Sequence, residues 1–543
     1  MERLIQGNIC DPIARRIYGG KVYFADGKIT KIIETSEQYD RYILPGLIDA
    51  HIHIESSMLV PLEFAKGAVS HGTVATVSDP HEIANVLGIR GIEFMINNGA
   101  QSPFKFYFGA PSCVPATNYE SSGAIISAGD IDKLLSNPKI KYLSEMMNYP
   151  GVLSEVPDVI DKLNIAKKHN KVIDGHAPGL SGELAKKYIE HGISTDHECF
   201  TLEEALEKIK YGMKILIREG TAAKNFEALH SLLSLYPDKC MFCSDDKHPD
   251  DLLLGHINKI MASAIEKGHN FFDVLCAATL NPIKHYNLEV GLLQEGDYAD
   301  FVIAENLSQF EILQTYIDGI LVFDNGKILI ESTAIEEINN FDCNLKSVDD
   351  FKVVAKNEVN INVIDALDGQ LVTSKSKATL TPIDNNLVSD IERDILKIAV
   401  INRYTNNKPS IAFIRNFGLK YGAIASSVAH DSHNIIAIGT SDEELCRAVN
   451  TIIQSKGGLC ATNGDTISMV ELPIAGLMSK ENIQETAHKY IEINKYTKAM
   501  GSKLYSPFMT ASFMALLVIP SIKLSDKGLF NAEQFEFIDL IIN

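Results

Sequence analysis

The sequence predicts an α/β protein with three parts. These are a (β/α)₈ barrel, a small β-domain formed from both flanks of the barrel, and an additional C-terminal α+β domain. Two observations point to the barrel and its flanking domain. Eight strand-like runs alternate with helix-like stretches between residues 45 and 289, and nearly every run ends in a histidine or a carboxylate. Two similar hairpin patterns bracket that region, one before residue 44 and one after residue 290. A third observation, a change of pattern near residue 345, sets off the last domain.

Residues 1–44 read as short strands. Lys21-Val22-Tyr23-Phe24 and Lys28 to Ile33 flank Ala25-Asp26-Gly27, a hairpin signal. The pattern returns where Tyr316-Ile317 and Ile320 to Phe323 lead into Asp324-Asn325-Gly326 and then Lys327 to Ile330, preceded by a strand at Asp297 to Ile303. The expected small domain therefore joins 1–44 with 290–340. Between them the strand runs end at His51-Ile52-His53, Val77-Ser78-Asp79, Phe108-Gly109-Ala110, Ser144-Glu145, Asp174-Gly175-His176, Asp196-His197-Glu198, Arg218-Glu219 and Ser244-Asp245-Asp246. Helical stretches such as Ile160–His169, Leu184–His191 and Leu202–Tyr211 separate them. Eight such units over roughly 240 residues match a closed parallel barrel, whose active site lies where its strands end. Residues 345–543 mix strands and helices and form the last domain.

The chain has 543 residues, is 45% hydrophobic and 22% charged, and carries a net charge of −20. That size and composition belong to a multi-domain globular protein. The negative charge argues against a nucleic-acid backbone or an anionic membrane as partner. Nine scattered cysteines are not a disulfide framework, and no apolar run reaches the length of a membrane span. With no apolar signal core at the start, the expected compartment is the cytoplasm.

Leu47 to Ile54 is one buried strand by its apolar run, and on a strand positions i and i+2 share a face. His51 and His53 therefore project together, half of a metal site. A barrel gathers them at one mouth with Glu145, His176, His197 and Asp245 from strands 4, 5, 6 and 8. Four imidazoles and two carboxylates exceed the needs of one tetrahedral zinc and suit two divalent ions. Glu145 is the natural bridge, one oxygen to each ion. The nitrogen and oxygen donors favour manganese, iron or zinc over a soft-metal site. Asp245 is preferred to Asp246, which is expected to point away. Cys240-Met241-Phe242-Cys243 reads as buried core, since its sulfurs face opposite sides of a strand. His430, Asp431 and His433 form a local cluster that could bind metal or cover the barrel mouth; because their spacing is not that of strand neighbours, a turn supplying hydrogen bonds is the preferred reading.

Leu44-Pro45-Gly46-Leu47-Ile48-Asp49-Ala50-His51-Ile52-His53 resembles the amidohydrolase superfamily. The continuations His53-Ile54-Glu55-Ser56-Ser57, Asp79-Pro80-His81-Glu82, Glu145-Met146-Met147-Asn148-Tyr149-Pro150 and Cys243-Ser244-Asp245-Asp246 resemble adenine deaminases of the microbial type, as does Ser426 to Asn434 in the last domain. The resemblance implies conversion of adenine and water to hypoxanthine and ammonia in purine salvage. A hydroxide bridging two metal ions would attack C6; manganese is the first expectation, with iron or zinc as the alternatives. It also implies a homo-oligomer, a dimer by expectation. Glu145 stands where many superfamily members carry a carboxylated lysine. Lys247 departs from the arginine of many relatives.

In that setting Asp245 is the expected proton acceptor. Asp79, His81 and Glu82 supply a proton relay, an extra metal ligand or support for the metal histidines. Arg218 and Glu219 either orient the purine, with Glu219 also a candidate catalytic group, or form a rim salt bridge. Glu55 and Ser56 are further substrate-binding candidates. The competing readings are an amidohydrolase acting on another nucleobase or cyclic amide, and a barrel that has lost catalysis; the six filled ligand positions argue against the latter.

Overall fold

The computed structural model describes residues 2–221 and 223–542. The chain opens with β1 (Arg3–Asp11), β2 (Arg16–Ala25), β3 (Lys28–Glu34) and β4 (Tyr42–Pro45). The β2–β3 turn places Asp26 and Gly27 at φ 49° and 79°. These two left-handed residues match the twist of a tight hairpin, which explains the Asp-Gly pair.

Eight parallel strands follow: β5 (Leu47–Ile52), β6 (Thr73–Ser78), β7 (Lys105–Ala110), β8 (Ile140–Met146), β9 (Val172–Gly175), β10 (Thr195–Asp196), β11 (Lys214–Arg218) and β12 (Cys240–Cys243). They pair in chain order as a five-stranded and a three-stranded sheet. The sheets curl until the first and last strands meet. The Asp245 N–H donates to the His51 carbonyl at 3.0 Å, and the His53 N–H donates to the Asp245 carbonyl at 3.2 Å. On the other seam the Ser194 N–H donates to the Ile173 carbonyl at 3.0 Å. Residues in β5, β6 and β12 are buried throughout, as parallel strands covered by helices must be. β10 is only two residues long, shorter than its sequence run suggests. The Glu198 N–H donates to Asp196 Oδ1 at 2.7 Å, which turns the chain at once. Two of the expected helices begin earlier, at Pro157 and Gly182; proline at a first helical position is favourable.

Then β13 (Phe301–Ala304), β14 (Ile312–Ile317), β15 (Ile320–Asp324) and β16 (Lys327–Ile328) rejoin the start of the chain. β4 lies between β1 and β13, so segments on either side of the parallel strands share one eight-stranded sheet. The remaining chain builds a second large sheet from β17 (Val359–Ala366), β18 (Thr373–Leu380), β19 (Ile395–Ile401), β20 (Ser410–Arg415), β21 (Ala423–Ser426), β22 (Ile435–Gly439), β23 (Gly458–Asn463) and β24 (Thr466–Glu471), with Ile541–Ile542 added beside β17. Helices Asp442–Ser455 and Ile483–Ala499 accompany it. One apolar cluster runs from Ile52 and Val77 of the parallel strands to Ile436 and Leu472 of this sheet. The last third therefore packs directly on the parallel strands. No helix among the described residues is long and apolar enough to cross a membrane.

Beneath the junction of β5 and β12 lies Asp49, fully buried. Its carboxylate accepts the Ser244 N–H at 3.0 Å, the Ser244 hydroxyl and His256 Nε2–H at 2.8 Å. The carboxylate only accepts, so His256 Nε2 carries a proton, and Thr73 Oγ1 meets the other His256 nitrogen at 2.7 Å. Asp49→Ala strands these donors in the interior and is expected to cost about 3–5 kcal/mol. A urea unfolding midpoint equal to that of the parent protein would contradict this.

Candidate metal centre and active site

The functional side chains sit at or just past the C-terminal ends of the parallel strands. His51 lies on β5 and His53 one residue beyond it, and their Nε2 atoms are 3.2 Å apart. Glu145 is the penultimate residue of β8, while His176 and His197 each follow a strand end by one residue. Asp245 is two residues past β12, with φ 54°. Aspartate tolerates this left-handed backbone better than most residues, and here it aims the carboxylate inward.

The four histidines converge on Glu145, and its two oxygens divide them. Oε1 lies 3.2 Å from His53 Nε2, 3.9 Å from His51 Nε2 and 3.5 Å from His81 Nδ1. Oε2 lies 2.7 Å from His176 Nδ1 and 3.3 Å from His197 Nε2. Asp245 Oδ1 joins the first group, 3.1 Å from His53 and 3.5 Å from His51. Every one of these residues is buried. His53 Nδ1 donates to the Asp79 carbonyl at 3.1 Å, which leaves the Nε2 lone pair facing the centre. The donor set is imidazole and carboxylate, without a thiolate, and its two halves match a pair of divalent cations sharing a carboxylate.

Burial alone would raise the Glu145 and Asp245 pKa values. For Glu145, His176 and His197 override it; for Asp245, Arg218 does so ahead of His51 and His53, and both carboxylates lie well below their usual range. Burial instead prevails at Glu55, pushed up to about 7.

Several expected residues have different surroundings from those anticipated. Arg218 is fully buried and bridges Glu198 and Asp245 by ion pairs, so its guanidinium is engaged by protein carboxylates rather than offered to a ligand. Glu219, one residue past β11, does not line the cavity that holds Glu145 and Asp245; its carboxylate lies 3.8 Å from Lys224. Glu55 accepts the Ile83 N–H at 3.1 Å and supports the helix His81–Leu87. Ser56 donates to Asp246, which does not point away: it lines the same cavity as Asp245. His81 sits 3.2 Å from Asp79 and 3.4 Å from Glu82. Cys240 and Cys243 are free and buried, in different apolar clusters.

Sequence reasoning gives no role to Glu198 and prefers a turn at His430 to His433. Glu198 approaches His176 at 3.7 Å and His197 at 3.5 Å while pairing with Arg218. The segment Ala429 to Asn434, between β21 and β22, reaches the cavity as well as forming a turn. His430 Nδ1 meets Glu82 Oε1 at 2.6 Å, and His433 Nε2 meets Glu82 Oε2. Phe513, Leu516 and Ile519 supply an apolar cover. Lys523 holds that cover by donating to the Leu371 and Phe513 carbonyls at 2.6 and 2.9 Å. The inner cavity measures about 30 Å³ and shares Glu198, Leu371 and Ile519 with an outer pocket of about 580 Å³.

The strand ends that form this centre lie within a segment similar to a known family. Residues 42–322 match the amidohydrolase family, and residues 370–536 match the adenine deaminase C-terminal domain. An adenine deaminase from Borreliella burgdorferi is 53% identical over 98% of this chain and 99% of its own length. The chain belongs to the adenine deaminase family. Members from Sulfurovum sp. and Methanosarcina mazei are 54% and 52% identical, each aligned over 98% of this chain and over 99% and 98% of their own lengths. The family match to the C-terminal domain includes His430 and His433, which the structure brings to the site.

If Glu145 bridges two ions, Glu145→Gln removes one anionic oxygen and is expected to lower bound manganese from about two per chain toward one or none. Metal analysis after dialysis checks this; two retained ions would contradict the bridging role.

Proposed function

We propose that the chain hydrolyses adenine to hypoxanthine and ammonia. The observation that carries this is Glu145, whose two oxygens face two separate sets of imidazoles, in a chain of the adenine deaminase family. The strands are read as one closed (β/α)₈ barrel. Residues 1–44 with 290–340 and residues 345–543 are read as separate units around it. His51, His53 and Asp245 would hold one divalent ion and His176 with His197 the other, Glu145 lying between. Two such cations, manganese by preference, would supply an acidified water as nucleophile.

The chain's own groups manage the protons and the substrate. Asp245, held ionised by Arg218, accepts a proton from the attacking water. Glu82 and His81, which line the same cavity, carry protons to the ring nitrogen and to the departing amine, so that ammonia rather than amide leaves. Asp246 and Asp431 face the space between and can accept hydrogen bonds from the purine edge. Phe513, Leu516 and Ile519 offer the apolar faces a flat base requires. Because the inner cavity is smaller than a purine, substrate entry from the outer pocket requires this cover to shift. Nine free cysteines fit a reducing compartment, and the setting proposed is a cytoplasmic, homo-oligomeric enzyme of purine salvage.

The direct test is to load the purified protein with manganese, add adenine, and follow hypoxanthine and ammonia together. Product in equal amounts is expected; no product with two ions bound would contradict the assignment. Asp245→Asn is expected to reduce kcat by at least about 10²-fold, the scale of a lost general base.

A further inference from the structure

Glu82 is a buried carboxylate with three imidazoles around it, and two of them come from the last third of the chain. His430 Nδ1 lies 2.6 Å from Oε1, His433 Nε2 contacts Oε2, and His81 Nε2 is 3.4 Å from Oε1. Two histidines and a glutamate invite a metal reading, but His433 argues against it. The Ala429 N–H points at His433 Nδ1 from 3.2 Å, so Nδ1 must accept. Burial pushes the His433 imidazole down to about 4, so the ring is neutral and its single N–H lies on Nε2, directed at Glu82. That nitrogen has no lone pair to give a metal. The contact is a hydrogen bond donated to the carboxylate.

His430 is fixed as firmly. Its ring stacks on Phe513 at 4.4 Å and 11°, and its backbone N–H donates to the Ser512 carbonyl at 3.0 Å. The short segment that carries both histidines is tied on either side. Tyr404 donates to the Ser432 carbonyl at 2.6 Å, and Asn434 Nδ2 donates to the Ser121 carbonyl at 2.8 Å. Both Glu82 oxygens are thus engaged by donors whose own positions are set by neighbours. A carboxylate so held has one orientation instead of several, which is what proton transfer over a fixed distance needs.

We propose that His430 and His433 are positioning residues that aim the Glu82 carboxylate into the cavity, so that the last third of the chain supplies part of the working active site. This rests on the proton-carrying role proposed above for Glu82.

The two histidines use different ring nitrogens, which permits a crossed test. Glutamine places its amide where Nε2 sits, and asparagine where Nδ1 sits. At 433, His433→Gln keeps the donor to Glu82, whereas His433→Asn keeps only the acceptor for Ala429. At 430 the order reverses: His430→Asn keeps the donor and His430→Gln loses it. With manganese-loaded protein and adenine, the two variants that lose the donor are expected to drop kcat about 10- to 100-fold. The two that keep it are expected to recover most of that loss. KM should shift less than about threefold, because the contact acts on proton transfer rather than on substrate binding. Bound manganese should stay at two per chain in all four. In a Glu82→Gln background the same substitutions should each add less than about twofold, since they act through that carboxylate.

Rescue by Asn at 433 and by Gln at 430 would show a local structural role and overturn the proposal. So would a third ion in the parent protein that leaves with His433→Asn. If Glu82→Gln alone leaves kcat intact, both this inference and the role of Glu82 fail. If Glu82→Gln is inactive while all four histidine variants turn over like the parent, only the positioning claim fails. Melting temperatures identify any variant that does not fold, and the pair at the other histidine then decides the question.

Discussion

A single buried carboxylate, Glu145, organises this molecule. A charge in the interior is costly unless opposite charges or strong donors surround it. Here it is enclosed by His53, His81, His176 and His197. Those four follow four different strands and span more than a hundred residues of sequence, and a curled parallel sheet brings them to one point. Closure of that sheet runs through the site itself. Asp245 pairs by its backbone with His51 and His53, and its side chain enters the same cluster. The contact that joins the first and last strands and the contact that places a carboxylate in the cluster are made by one residue.

The strand ends were legible because the relevant pattern is local. An apolar run with alternating faces reveals His51 and His53 as a pair, and repeated β/α units assign Glu145, His176 and His197 to one rim. What could not be read were contacts that depend on distant chain. Nothing local tells that His430 meets Glu82 across 348 residues. Arg218 was seen as a charged residue near a strand end, but its use depends on Glu198 and Asp245 lying within reach at once. Glu198 carried one usable signal: a buried arginine needs carboxylate partners, and Glu198 follows the end of the adjacent strand. Asp246, one residue farther from the strand than Asp245, does not point away, because the strand has ended at Cys243 and Asp245 turns left-handed, so both carboxylates line the cavity.

The last third of the chain does more than cover the site. Phe513, Leu516 and Ile519 close the cavity with apolar surface, Lys523 pins that cover, and His430 and His433 reach the carboxylate of Glu82. Excluding water strengthens every charge interaction inside, while the polar residues that remain have set directions. The parallel strands bring the imidazoles and carboxylates together, and the last third adds an apolar cover and the two histidines that contact Glu82.

The account stands on Glu145 lying between two cations. Anomalous diffraction at the manganese edge from crystals of the manganese-loaded protein tests this most directly. Two peaks are expected, one beside Glu145 Oε1 with His51, His53 and Asp245, the other beside Oε2 with His176 and His197. A single peak, or two peaks neither of which touches Glu145, would contradict it.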